Sequence, residues 1–216
     1  MSKRLGGLFL MLSAAGCATR PPPSPPPAAQ PSSVADLAAA IDLAAKRSDH
    51  EPDSKFRAEL AAQATRDADA CLAREPQAAA CLYGRAVALG LDARAHPTHA
   101  GEILSTMLDA LARAESADAG YDEAGPARVR ALVLVRAPGW PLGPGDTEAG
   151  LVAARRAVAL RPLYPPNLLA LAEALAKTGD AGAARQAYAR ARDAAQALPD
   201  GADREDWLRE AAQGLK

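Results

Sequence analysis

Between Glu148 and Pro199 the chain repeats itself at a fixed distance. Gly150 falls over Ala184, Ala154 over Tyr188 and Ala157 over Ala191, each pair 34 residues apart. A period of that length holds two short helices and their turns. Ala172, Ala184 and Ala191 are small enough to let the helices of one hairpin approach closely, and the larger Tyr188 fills the space beside them. A single unit of this size cannot bury its apolar face alone. The remainder of the chain must therefore supply neighbours for it to stack on.

The second copy also carries Leu168, Leu171, Ala172 and Leu175 where the pattern W-x2-L-G-x2-Y is expected, so the stretch resembles a tetratricopeptide (TPR) helix pair. Upstream, Ala64, Ala68, Cys71 and Pro76 match the places of Gly150, Ala154, Ala157 and Pro162, and Leu82, Ala86 and Leu89 hold three positions of the next helix. Apolar residues make up 49% of the chain but aromatics only 4%, and alanine supplies much of the difference. Such a core suits closely packed helices better than a β-sandwich. The expected fold is all-α, with degenerate hairpins stacked in a superhelical bundle around a cleft or pore.

The helical spacing predicts helices from about Ser33 to Lys46, Ser54 to Glu75, Ala78 to Leu89, Gly101 to Ala117 and Pro126 to Arg136. Further helices are expected over 147–161, 166–177, 181–197 and 202–215, the last a polar-backed cap carrying Trp207 and Leu208. Leu91 to His99 and Asp118 to Gly125 read as connections. From Pro138 to Asp146, six of nine residues are proline or glycine, which predicts a stiff, sharply folded loop where a standard repeat has a turn of about three residues. Asp146 or Thr147 can cap the helix that follows.

The N-terminus bears on the compartment. Lys3 and Arg4 precede a short apolar run, Leu5 to Leu12, that reads as a secretory signal, and Ser13-Ala14-Ala15-Gly16-Cys17 resembles a lipoprotein lipobox. The division is then a signal peptide over 1–16, a lipidated Cys17 with a proline-rich linker over 17–32, and a helical domain over 33–216. Palmitate-type acyl chains on Cys17 would hold the chain on a membrane without a spanning helix. Fifteen residues of extended linker reach roughly 45 Å. With Ala18 after the cysteine, the resemblance to Gram-negative lipoproteins implies the periplasmic face of the outer membrane. Cys71 and Cys81 lie symmetrically about Pro76 at the expected turn, so they face each other, either as a disulfide or as two buried small side chains.

Four segments resemble the TatT family of TPR-containing lipoproteins, the T components of TRAP-type solute transporters. They are CLYGRAVALG (Cys81 to Gly90), GPARVRALVLVRAPGWPLGPGD (Gly125 to Asp146), AVALRP (Ala157 to Pro162) and PPNLLALAEALAKTGD (Pro165 to Asp180). The resemblance implies a bundle of degenerate repeats around a cleft or pore. It also implies a periplasmic solute-binding protein as partner, with an apolar or carboxylate small molecule as ligand.

Candidate ligand contacts are Tyr83, Arg85, Arg128, Arg136, Trp140, Tyr164, Asn167 and Glu173. Trp140 could roof an apolar pocket while an arginine holds a carboxylate; in the alternative, Trp140 only packs its loop, Asn167 caps a helix and Glu173 pairs with an arginine. No catalytic residues, cofactor or metal are expected: His96, His99 and Glu102 lack the spacing of a metal helix, and no GxSxG, phosphate loop or CxxC occurs. A formal charge of -1 without a basic cluster argues against nucleic acid. Homo-oligomerisation stays open. Two readings compete. A ligand-handling accessory predicts a closed, apolar cavity near Trp140 and Tyr83; an adaptor for envelope protein assembly predicts an open groove lined with polar residues.

Overall fold

The computed structural model describes residues 33–216; the signal segment, Cys17 and the linker read above fall outside them. The described residues form α1 (Val34–His50), α2 (Ser54–Arg74), α3 (Ala79–Ala95), α4 (Ala100–Ala117), α5 (Tyr121–Arg136), α6 (Thr147–Leu160), α7 (Pro165–Lys177), α8 (Ala181–Gln196) and α9 (Ala202–Gly214). A 3-10 turn, Pro97–His99, joins α3 to α4. Among these residues no strand runs through 127–160, where the strand-like pairing is an isolated bridge between Gly139 and Gly145.

The helices pack as four antiparallel hairpins followed by a cap. Each even-numbered helix packs against the odd-numbered helices before and after it, and each odd-numbered helix also touches the next odd-numbered one. This is the superhelical stacking of TPR-like units, with the odd helices along the inner wall.

Local signals place the hairpins. Ser33 and Asp36 cap α1 reciprocally, each side chain accepting from the other's backbone N–H at 3.1 Å. Asp146 and Asp180, themselves 34 residues apart, cap α6 and α8 in the same way as each other, each accepting from the N–H three residues on at 2.9 Å. Within the hairpins and between them the close contacts are made by small residues. Ala64, Ala68, Ala86, Ala131, Ala154 and Ala172 are fully buried, and a Cβ on Gly150 would stand 2.6 Å from Val135 Cγ2. Cys71 and Cys81 are joined across the α2–α3 turn, their Cα atoms 5.2 Å apart.

Three boundaries differ from the sequence reading, the first being that of α1, which runs past Lys46 to His50 with Ser48 buried. Helix α3 runs through the expected connection to Ala95, because Leu91 and Ala93 extend its buried stripe and Gly90 packs against Met107. The expected connection before Pro126 instead contains a left-handed turn: Asp122, Glu123 and Ala124 have φ of 48°, 54° and 65°. L-residues resist this conformation by roughly 1–2 kcal/mol each, so surrounding structure must hold it. The turn lies where α3 and α5, of all successive odd helices, meet least closely.

The loop from Ala137 to Asp146 is closed by backbone hydrogen bonds, from Gly145 N–H to the Pro138 carbonyl at 2.9 Å, Leu142 to Gly139 at 3.0 Å and Asp146 to Leu134 at 2.9 Å. Its Trp140–Pro141 peptide is cis. The loop backbone also rests on the start of α4, where a Cβ on Gly101 would meet the Leu142 carbonyl oxygen at 2.8 Å.

Candidate functional site

The odd helices enclose a cleft of about 810 Å³ that is open on one side. α1 lines one wall with Ala38, Ile41, Asp42, Ala45, Lys46 and Asp49; α3 adds Tyr83, Gly84 and Val87. Tyr121, Asp122 and Arg128 come from the left-handed turn and the helix it opens, Tyr164 and Pro166 from the start of α7, and Asp203, Asp206 and Trp207 from α9. The lining is thus one face of a superhelix, assembled from residues far apart in sequence.

Asp122 is the hub of this cleft. Its carboxylate accepts from the Tyr83 hydroxyl at 2.9 Å and from Arg128 Nη2 at 2.7 Å. Burial pushes the Tyr83 hydroxyl well above the ordinary tyrosine range, so it stays a proton donor to Asp122. Arg128 Nη1 donates to the carbonyls of Asp122 and Glu123 at 3.1 and 3.2 Å and to Asn167 Oδ1 at 3.2 Å. Asn167, fully buried, donates through Nδ2 to the carbonyls of Glu123, Ala157 and Arg161 at 3.0, 3.2 and 3.3 Å. Arg161 in turn donates to the Glu123 carboxylate at 3.1 Å. These bonds satisfy the carbonyls that the left-handed turn exposes, and together they hold it.

Four aromatic rings face the same space. Tyr83 and Tyr121 meet edge to face with centroids 5.5 Å apart, as do Tyr164 and Trp207 at 5.7 Å. The Arg128 guanidinium lies over the Tyr164 ring, 5.2 Å from its centroid. Across the mouth, Lys46 Nζ sits 3.4 Å from Asp42 and 3.5 Å from Asp203. Attraction to Asp42, then to Asp203, holds its amine above the usual lysine range. Five carboxylates line the cleft: Lys46 sits between Asp42 and Asp203, Arg128 pairs with Asp122, and Arg94 and Arg209 pair with Asp49 and Asp206 from outside the lining, so the carboxylates outnumber their cationic partners by one.

Of the candidate ligand contacts, Tyr83, Arg128 and Tyr164 line the cleft, and Asn167 lies directly behind it. Arg128 and Asn167 are engaged in holding the turn, which leaves no free guanidinium there to clamp a carboxylate. Arg85 instead pairs with Asp69 at 2.9 Å, and Arg136 makes a two-pronged pair with Glu173 at 2.9 and 2.6 Å, joining α5 to α7. Trp140 does not roof a pocket. It is 91% exposed, because the loop docks through its backbone and turns this side chain outward. The tryptophan of the cleft is Trp207, which the sequence reading treated as the apolar side of a cap. Asp122, Lys46 and Asp203 were not singled out; nothing in their local sequence distinguishes them from solvated surface charges.

Among the described residues no group of three His, Cys, Asp or Glu side chains could hold a metal ion. His96, just past the end of α3, pairs with Asp92 at 2.8 Å.

No family model matches the sequence, and no curated protein matches it. Among solved structures, the chain is similar to a thermophilic TPR protein of Thermus thermophilus, with a TM-score of 0.57 and 21% identity over 84% of this chain and 92% of that one. That likeness carries the fold: stacked TPR-type hairpins over nearly the whole of both chains.

Proposed function

We propose that the chain is an adaptor of the TPR type, whose concave cleft receives a segment of another protein. One observation carries this reading: the inner face presents a cleft open to solvent, its apolar floor edged by carboxylates and aromatic rings, in place of a closed cavity. The Lys3-to-Cys17 stretch and the Cys71–Cys81 bond support an exported, lipid-anchored protein at the periplasmic face of the outer membrane. The test is a steric plug. Ala39 is exposed on the cleft wall, so Ala39→Trp fills the cleft without removing a packed side chain. Partner capture from envelope extract should be lost with Ala39→Trp and kept with Trp140→Ala; capture unaffected by the plug would refute the cleft.

A second reading rests on the motifs from Cys81 to Gly90, Gly125 to Asp146 and Pro165 to Asp180, which resemble those of TatT-type components. In that reading the partner is the periplasmic solute-binding protein of a TRAP-type system. A carboxylate ligand in this cleft has less support, since Arg128 is engaged by Asp122 and Asn167. Cross-linking to a purified solute-binding protein, abolished by Ala39→Trp, distinguishes this partner from others.

A further inference from the structure

The cleft already holds two cations of its own, and their positions indicate what else it can hold. The Lys46 ammonium sits between the carboxylates of Asp42 on α1 and Asp203 on α9. Its side chain is 56% exposed, and an ion pair held so close to solvent contributes little to stability. An incoming ammonium can exchange with it at little cost. Arg128 is different: it is almost buried, with its guanidinium over Tyr164 and its donors committed to the left-handed turn. The first cation is replaceable and the second is permanent.

The remaining groups are those that recognise a cation. Asp49 and Asp206 also face the cleft, and their cationic partners Arg94 and Arg209 are not part of its lining. Tyr121 and Trp207 also line the cleft, and an aromatic ring draws a guanidinium or ammonium through its quadrupole. The apolar floor of Ala38, Ile41, Ala45 and Val87 accepts the aliphatic stem of a long basic side chain. A volume of about 810 Å³ lies in the range of sites that bury a ligand of several groups, roughly 300–1,000 Å³.

We propose that the occupant of the cleft is a peptide segment bearing lysine or arginine, with a basic side chain displacing Lys46 from between Asp42 and Asp203. The proposal rests on the adaptor reading and adds to it the charge of the partner.

The test uses the full-length chain carrying Trp140→Phe, so that Trp207 is the remaining tryptophan and reports on the cleft. Two 12-residue probes are titrated, one alternating lysine and leucine, the other alternating glutamate and leucine. The lysine peptide should shift Trp207 emission and bind at least 10-fold more tightly than the glutamate peptide. Its affinity should fall at least 10-fold in Asp42→Asn/Asp203→Asn and stay unchanged in Asp193→Asn, a carboxylate of α8 outside the cleft. Equal binding of both peptides, or equal weakening by Asp193→Asn, overturns the basic partner and leaves the adaptor standing. If neither peptide binds, the adaptor reading falls with it. Because the charge-inverted peptide is read on the unaltered cleft, the outcome does not depend on the double variant folding.

Discussion

Lys46 of α1 reaches Asp203 of α9 at 3.5 Å, so the first and last described helices are tied by an ion pair although α1 and α9 have no close backbone packing. The superhelix closes its mouth with a side chain rather than with a shared core. Such a tie governs geometry more than stability.

Replacing Lys46 with methionine should therefore leave the melting temperature within a few degrees of wild type, since an exposed pair contributes about 1 kcal/mol or less. It should widen the cleft. Spin labels at the exposed positions 43 and 205 would show a longer, broader distance distribution in the variant. pH gives the same result by another route. The lysine pKa is raised in the folded chain by Asp42 and then Asp203. The contribution is thus complete below the ordinary value of about 10.4 and is lost as pH climbs through the folded one. As pH is raised from neutral, the wild-type distance should lengthen in that alkaline range, and Lys46→Met should not respond. An unchanged distance in the variant would mean that the mouth is held elsewhere.

The left-handed turn makes a sharper demand. Three successive residues with positive φ need compensation, and Asn167 supplies it through donors to the carbonyls of Glu123, Ala157 and Arg161 and an acceptor for Arg128. Asn167→Leu keeps the volume but strands these buried polar groups, which costs roughly 2–4 kcal/mol in total. Urea unfolding should show that loss as a lower midpoint. Asp122→Asn, by contrast, keeps an acceptor for Tyr83 and should cost less than Asn167→Leu. The reverse order would mean that the charge on Asp122, not the amide of Asn167, holds the turn.

How much of this was legible beforehand follows from what each feature depends on. Periodicity depends on close approach of neighbours in the stack, so Ala154 and Ala157 announced it by their spacing from Tyr188 and Ala191. The equivalence is imperfect where the stack ends: Tyr188 occupies the place of Ala154, and a partly buried site against Gly214 of α9 accepts the larger side chain. The cap at Asp146 was visible too, since an aspartate just ahead of a helical run is a purely local signal. The cleft was not, because its lining is gathered from five odd-numbered helices far apart in the chain, and no one stretch of it forms a local motif. Trp140 misled by its rarity. A tryptophan in a proline-glycine loop suggests burial, but the loop settles on α4 through main-chain atoms and needs no ring beneath it. The turn at Asp122 to Ala124 left no trace either, since Asp, Glu and Ala are not residues that ordinarily mark three successive positive φ angles.

The Cys71–Cys81 bond closes a short segment, with a sequence separation of 10. In the loop-entropy description a closure of this size is worth about 3 kcal/mol. Cys71→Ala/Cys81→Ala should lower stability by that order while leaving the helix content unchanged, since both positions remain buried small side chains. Calorimetry of the wild type with and without reductant should reproduce the difference. If reductant has no effect on the wild type, the bond adds nothing at equilibrium and the alanine pair should melt with it.

Trp140 and Gly145 should behave in opposite ways, although they share one loop. Trp140 is almost fully exposed, so Trp140→Ala removes no packed surface and should shift stability by no more than about 0.5 kcal/mol. Gly145 contributes no side chain, yet a Cβ there would stand 2.1 Å from the Ala137 carbonyl oxygen and 2.8 Å from that of Pro138. Both neighbours are main-chain atoms, which cannot swing aside as a long side chain can. Gly145→Ala must therefore break the Gly145 to Pro138 hydrogen bond, and with it the closure that sets Asp146 to cap α6. The expected cost is about 2 kcal/mol or more, from the lost cap together with the main-chain clash. Thermal unfolding of the two variants side by side gives the comparison. A large loss in Trp140→Ala with none in Gly145→Ala would mean that the ring, and not the backbone, anchors the loop to α4.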